Sequence, residues 1–257
     1  MSSNTIYLIT GANRGLGKTM EATFVARPAT TIIAAVRDPL ATNSIALHKL
    51  SVGNSGKLIL VKIDNSSQND PTDAVEELQC KYQIHHIDVV IANAAIGKTY
   101  DKPFALTCMG ITIDDMYEHF TVNAVGILLL FRATLQLLEK SANSQGPKFV
   151  VMTSFTGSIG AMEGCPVPNA EYGPSKAGVN YLSRKIHFEH EFLTAFALNP
   201  GWVQTDTGNA GAQMFGLKEA SLSIDESVAG IVKVIDAATR EHTSGKFMEH
   251  TGNELDW

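Results

Sequence analysis

Two residues one helical turn apart, Tyr172 and Lys176, are the pair in this chain with the plainest chemical use. In Tyr172-Gly173-Pro174-Ser175-Lys176 helical spacing puts a phenol and an ammonium on one face. At about 4 Å and an effective dielectric near 20, the ammonium favours a phenolate by roughly 4 kcal/mol. The ordinary phenol pKa of about 10 then falls by about three units, which suits a proton donor to an oxygen that is gaining charge. Such a pair also arises by chance on one helix face, so the rest of the chain has to decide.

A second chemical feature stands near the start. Thr10-Gly11-Ala12-Asn13-Arg14-Gly15-Leu16-Gly17 follows an apolar run and leads straight into a helical segment. Glycines there allow close backbone approach, and a helix N-terminus offers free N–H groups to an anion, so a phosphate-bearing ligand is implied. The same stretch up to Lys18-Thr19 nearly fits a nucleotide-triphosphate loop, with Ala12 replacing its first glycine, and Leu58–Asp64 passes for a strand ending in a magnesium-binding aspartate. An NTPase is therefore a rival reading, and a tight turn without a ligand a third.

The elements that must position these residues alternate. Continuously apolar runs at Ile6–Ile9, Thr31–Val36, Leu58–Ile63, Ile87–Ile91, Phe149–Met152 and Leu193–Leu198 read as strands buried on both faces. Helical spacing recurs at Leu16–Ala26, Pro71–Tyr82, Met116–Lys140, Ser175–His190 and Ile224–Ala238, with Asp70 as a cap before Pro71 and a capping box at Ser223 and Glu226. A final strand is read at Ser244–Phe247. The pattern predicts an α/β fold: a doubly wound parallel sheet of Rossmann type in three α/β/α layers, with functional loops beyond the strand C-terminal ends. No linker or repeat divides residues 1–257, and 44% hydrophobic content supports one large core, hence a single domain.

A net charge of −6 with scattered basic residues offers no footprint for nucleic acid. Cys80, Cys108 and Cys165 have neither disulfide parity nor metal spacing, which points to free thiols and a cytoplasmic setting. The first apolar run is too short for a signal or a membrane span. His187 and His190 lack a further ligand at suitable spacing, and no metal is expected.

Gly11-x-x-x-Gly15-x-Gly17 together with Tyr172-x-x-x-Lys176 resembles the short-chain dehydrogenase/reductase family, which carries T-G-x-x-x-G-x-G near its start and Y-x-x-x-K on a later helix. Four more segments follow the family's order. Ile91-Ala92-Asn93-Ala94-Ala95 stands where the family has N-N-A-G, departing from it at Ala92 and Ala95. Asn123 matches the family's helix asparagine. Val150–Gly157 resembles I-S-S-x-x-G and puts Ser154 at the catalytic-serine position, with Ser158 as a fallback because the interval to the tyrosine is long. Asn199-Pro200-Gly201-Trp202-Val203-Gln204-Thr205 resembles the family's P-G-x-V-x-T.

The resemblance implies hydride transfer between a nicotinamide and a carbonyl. Tyr172 donates the proton, Lys176 also binds the nicotinamide ribose, Ser154 orients the carbonyl, and Asn123 holds a water that relays protons to Lys176. It implies cofactor contacts from Gly11, Asn13, Arg14, Gly15, Leu16, Gly17, Arg37, Asp64, Asn93, Tyr172, Lys176, Pro200, Gly201, Val203 and Thr205, with Asn65 beside Asp64 near the adenine. The NTPase reading explains only the first quarter of the chain. A protein that senses NADPH without catalysis would be expected to lose Ser154, Tyr172 or Lys176, and all three are present.

In the family register Val36 takes the place of the ribose-binding acid, Arg37 follows it, and Arg14 lies in the glycine turn, which favours NADP(H). Asp38 becomes a ribose ligand, and NAD the cofactor, if the strand runs one or two residues longer. A mobile lid is expected at about 204–222, with Met214 and Phe215 as apolar contacts and pocket walls at 96–110 and 158–170. No arginine lies in these loops, so an uncharged ketone is the expected substrate. The motifs resemble the branch holding norsolorinic-acid-type ketoreductases and sniffer-like carbonyl reductases. That implies an aromatic polyketide ketone, or else a small carbonyl in detoxification. Pairing of the two long helices between subunits, as in the family, implies a homodimer or homotetramer.

Overall fold

The computed structural model describes residues 4–98, 103–164 and 167–257. β1 (Thr5–Thr10) turns into α1 (Gly15–Val25), followed by β2 (Thr30–Val36), a four-residue α2 (Thr42–Ile45), β3 (Lys57–Lys62), α3 (Asp70–Tyr82) and β4 (Val89–Ala92). The second half runs α4 (Ile113–Phe120), a π turn (Thr121–Val125), α5 (Gly126–Glu139), β5 (Lys148–Met152), α6 (Tyr172–Glu189), β6 (Thr194–Asn199), α7 (Asp206–Met214), α8 (Ile224–Ala237), β7 (Phe247–Glu249) and β8 (Glu254–Leu255).

The strands form one sheet in the order β3-β2-β1-β4-β5-β6-β7-β8, parallel except where β7 meets β8. Alternation along each strand feeds two cores. Ile6 and Leu8 pack with α3, α5 and α6, while Tyr7 and Ile9 pack with α1 and α8. Covering both faces is why the central stretches of these strands are apolar. Sequence order reverses between β1 and β4, and a crevice opens beyond their C-terminal ends, as the doubly wound reading requires.

Four local expectations change. The helix read as continuous from Met116 to Lys140 begins at Ile113 and widens into the π turn, which puts Asn123 on the buried side. Helix α6 starts at Tyr172, three residues early, because Pro174 falls in the first turn, where its missing N–H forfeits no intrahelical bond. Asp70 is the first residue of α3 rather than its cap. Its carboxylate accepts instead from Asp64 N at 3.0 Å and Ser67 Oγ at 2.7 Å, pinning the loop after β3. The strand read at Ser244–Phe247 is β7, starting only at Phe247, and it takes an antiparallel partner, β8, that sequence pattern did not reveal. The capping box at Ser223 and Glu226 is present.

The α4–α5 run Ile113–Glu139 is long and apolar enough to cross a membrane, and half of its apolar window is buried inside the fold, as in a core helix. One polar group lies wholly inside the protein on α1. Glu21 is fully buried, and neither carboxyl oxygen finds a hydrogen-bond partner among the described residues.

Candidate active site

A cleft of about 730 Å³ lies over the switch point. Its rim is the glycine turn. Gly11 adopts a φ of +64°, and a Cβ on Gly17 would stand 2.2 Å from the Gly11 carbonyl oxygen, so any side chain there would force α1 off the turn. The turn is held from below by Asn93, whose Nδ2 donates to Thr10 O at 2.9 Å, while Thr10 Oγ1 accepts from Asn93 N at 3.0 Å and Ala94 N at 2.9 Å. Asn13 donates to Ser44 Oγ at 2.9 Å, fastening the turn to α2.

Of the residues expected to bind a dinucleotide, Gly11, Asn13, Arg14, Gly15, Leu16, Arg37, Asp64, Asn93 and Thr205 line this cleft. Gly17, Tyr172, Lys176, Pro200, Gly201 and Val203 are not in its lining. Pro200 and Val203 hold the neighbouring loops: the Pro200 carbonyl accepts from Ser227 Oγ at 2.7 Å, and Val203 bridges to Leu222.

The catalytic candidates meet where β5 and α6 adjoin. Ser154 follows β5, and its hydroxyl hydrogen-bonds the Tyr172 phenol. Lys176 donates to Met152 O at 3.0 Å and stands 5.5 Å from the centre of the Tyr172 ring. The fallback serine is committed elsewhere: Ser158 Oγ donates to Asp256 O at 2.8 Å and accepts from Ala161 N at 3.0 Å. Asn123 Oδ1 accepts from Ile96 N at 2.8 Å, and its Nδ2 donates to Ile96 O and Ser175 Oγ, both at 3.0 Å. The Asn123 side chain thus bonds Ile96 and Ser175.

The electrostatics correct the sequence expectation. Burial raises the Tyr172 pKa to about 12, with the Ser154 hydrogen bond pulling the other way, and Lys176 is itself pushed down to about 8 by burial. Desolvation outweighs the expected ammonium effect because Lys176 is wholly buried and turns to a backbone carbonyl while the phenol is half-buried. The phenol is therefore firmly protonated, the state a donor needs.

Several contributors escaped the sequence reading. His119 is fully buried and stands edge-on to Tyr172, with ring centres 6.4 Å apart. Glu171, just before the tyrosine, is buried with Oε2 unpartnered among the described residues, and burial raises its pKa against the hydrogen bond from its own backbone N–H. Thr10 and Ser44 act through hydroxyls that motif spacing does not mark. The expected lid 204–222 is α7 plus a turn. Its neck is closed by Gln204 N to Leu222 O at 2.8 Å and Leu222 N to Trp202 O at 3.0 Å, and Phe215 is exposed. In the expected walls, residues 99–102 and 165–166, including Cys165, lie outside the described residues.

A parallel sheet with this reversal, a glycine-turn cleft and an adjoining Ser-Tyr-Lys cluster define a dinucleotide-dependent oxidoreductase. The family model for short chain dehydrogenases matches residues 5–214, and the chain belongs to that family of enzymes, which use a nicotinamide cofactor and act on small molecules. It is 45% identical to a norsolorinic acid ketoreductase of Dothistroma septosporum, over 100% of this chain and 94% of that protein. An NADPH-bound carbonyl reductase from chicken fatty liver superposes with a TM-score of 0.83 at 26% identity, covering 100% of both chains. The carbonyl reductase Sniffer of Drosophila melanogaster shares the fold, with a TM-score of 0.80 at 21% identity, covering 99% of this chain and 100% of that one.

Proposed function

We propose that this enzyme uses NADPH to reduce an uncharged ketone, of the aromatic polyketide kind, to an alcohol. The observation that carries the reading is the Ser154–Tyr172–Lys176 cluster beside the glycine-turn cleft. NADPH when bound supplies the hydride; the chain supplies the rest. Ser154 offers the substrate oxygen a hydrogen bond, Tyr172 delivers the proton, and Lys176 supplies positive charge next to the phenol. Asn123 keeps the Ile96 backbone in register with α6 through Ser175.

Preference for the 2′-phosphate is supported by the rim. Arg14 and Arg37 are both exposed there, and β2 ends at Val36, as the NADP reading requires. The Asp38 carboxylate is engaged by Leu40 N at 2.9 Å within its own loop, which weighs against its being a ribose ligand. The ketone class is supported by the ketoreductase relatives and by the absence of arginine from residues 96–110 and 158–170. We further read the 204–222 loop as a lid that swings on its neck, the enzyme as a homodimer or homotetramer, and its compartment as the cytoplasm.

The test is NADPH oxidation across a panel of aromatic ketones and quinones, with Tyr172→Phe alongside. The wild type should turn over and the variant should lose most turnover while still quenching or shifting NADPH fluorescence. Turnover retained by Tyr172→Phe refutes the proton-donor assignment.

A further inference from the structure

We propose that His119 is a positioning residue: with Asn123 it straps the segment Ile96–Lys98 across Tyr172, leaving Gly97 as the wall of the substrate pocket beside the phenol. The proposal rests on the carbonyl-reducing role of Tyr172 and says what holds the substrate side of that site in shape.

The strap is fastened at both ends. At Ile96 both backbone groups are held by the Asn123 amide, at 2.8 and 3.0 Å. At Lys98 the backbone N–H donates to His119 Nε2 at 3.4 Å, and the side-chain ammonium lies 2.7 Å from Asp115 and 2.5 Å from Glu118, both on α4. His119 Nδ1 sits 2.7 Å from the Asp115 carbonyl oxygen, which can only accept, so the ring hydrogen is on Nδ1 and Nε2 is free to accept from Lys98. The ring thus has both nitrogens occupied while its plane stands at 86° to that of Tyr172.

Between the two fastenings, Gly97 has no side chain to spare. A Cβ there would lie 3.6 Å from two Tyr172 ring carbons and 3.1 Å from Thr207 Cγ2, which belongs to α7. The strap therefore sets the gap between the phenol and the lid helix. A shift of Lys98 moves Gly97, and with it the surface against which a ketone must rest to meet Tyr172. A histidine that merely filled space could be replaced by phenylalanine without disturbing Lys98 N.

That contrast supplies the test. His119→Phe keeps the ring edge and drops both hydrogen bonds, while His119→Gln keeps an acceptor for Lys98 N. Loss of the hydrogen bond to Lys98 N, the one that reaches the strap, predicts a fall in kcat of roughly tenfold for His119→Phe, with NADPH affinity within about twofold of wild type and most of kcat recovered in His119→Gln. Hydrogen exchange should accelerate roughly tenfold in the peptide spanning residues 94–98 of His119→Phe, and not in β1 or β5. Gly97→Ala should raise KM for a bulky ketone more than for a small one. Wild-type kcat and exchange in His119→Phe overturn the proposal, as does a His119→Gln variant as slow as His119→Phe. If the wild-type enzyme reduces no ketone, the functional reading fails instead, and the exchange comparison still decides the strap.

Discussion

Glu21 places a carboxyl inside the protein with neither oxygen hydrogen-bonded among the described residues. Burial raises its pKa from 4.5 to about 8, with Lys18 offsetting part of the rise. In the unfolded chain the group ionises near 4.5, so between that pH and 8 the folded state holds a proton that the unfolded state has released. Stability therefore falls as pH rises through this window and levels off above it. A gap of about 3.5 pH units corresponds to roughly 5 kcal/mol at high pH, and about 2.5 of those units, or roughly 3 kcal/mol, are already felt at pH 7. Glu21→Gln removes the ionisation at nearly constant shape. Urea unfolding of both proteins at pH 5, 7 and 9 isolates the effect, since every other group titrates alike in the two. The variant should match the wild type within about 1 kcal/mol at pH 5 and exceed it by several kcal/mol at pH 9. Parallel stability curves across the three pH values would show that Glu21 gains a partner or water in solution and would refute the reasoning.

Lys176 runs the opposite way: its folded pKa is pushed from 10.5 down to about 8, so its ammonium costs stability below pH 8 and the cost disappears as pH rises toward 10.5. Its charge is lost over the same rise, so kcat/KM for ketone reduction should decline above about pH 8, and Lys176→Met should unfold at higher urea concentration at pH 7 while losing turnover. Arg37→Ala should lower the ratio of NADPH to NADH efficiency by roughly 10- to 100-fold, the value of a charge-assisted hydrogen bond, as read from initial rates with each cofactor. Gly17→Ala puts a carbon 2.2 Å from Gly11 O and should cost about 1–3 kcal/mol in thermal unfolding together with weakened NADPH binding.

The fold was legible because strands buried on both faces have to be apolar between their ends, and β1, β2, β5 and β6 are. The glycine turn and the Tyr172–Lys176 pair were legible because their spacing is set by local backbone geometry, and Asn93 and Ser154 because their segments follow the family's motif order. What escaped depends on contacts between distant segments. Nothing adjacent to His119 in the chain says that residue 98 will reach it, and Glu21 looks like an ordinary exposed helix position until α1 is packed. The π turn escaped because hydrophobic spacing from Ile113 to Glu139 reads as one helix, and a one-residue phase change is invisible to it. The error over Tyr172 acidity has a similar origin: spacing gave the lysine's proximity but not the desolvation of both groups.

The π turn has a consequence for how this protein tolerates change in length. Thr121–Val125 carries one residue more than a regular helical turn needs, so α4 and α5 are out of phase by about 100° relative to an unbroken helix. Deleting a single residue there lets the backbone relax into ordinary helix, and everything on α4 rotates by a quarter turn or more against α5. Insertions and deletions that surface loops absorb would here uncouple the two sides of the site without altering any catalytic side chain. Among homologous sequences the interval from His119 to Asn123 should hold fixed wherever His119 is kept.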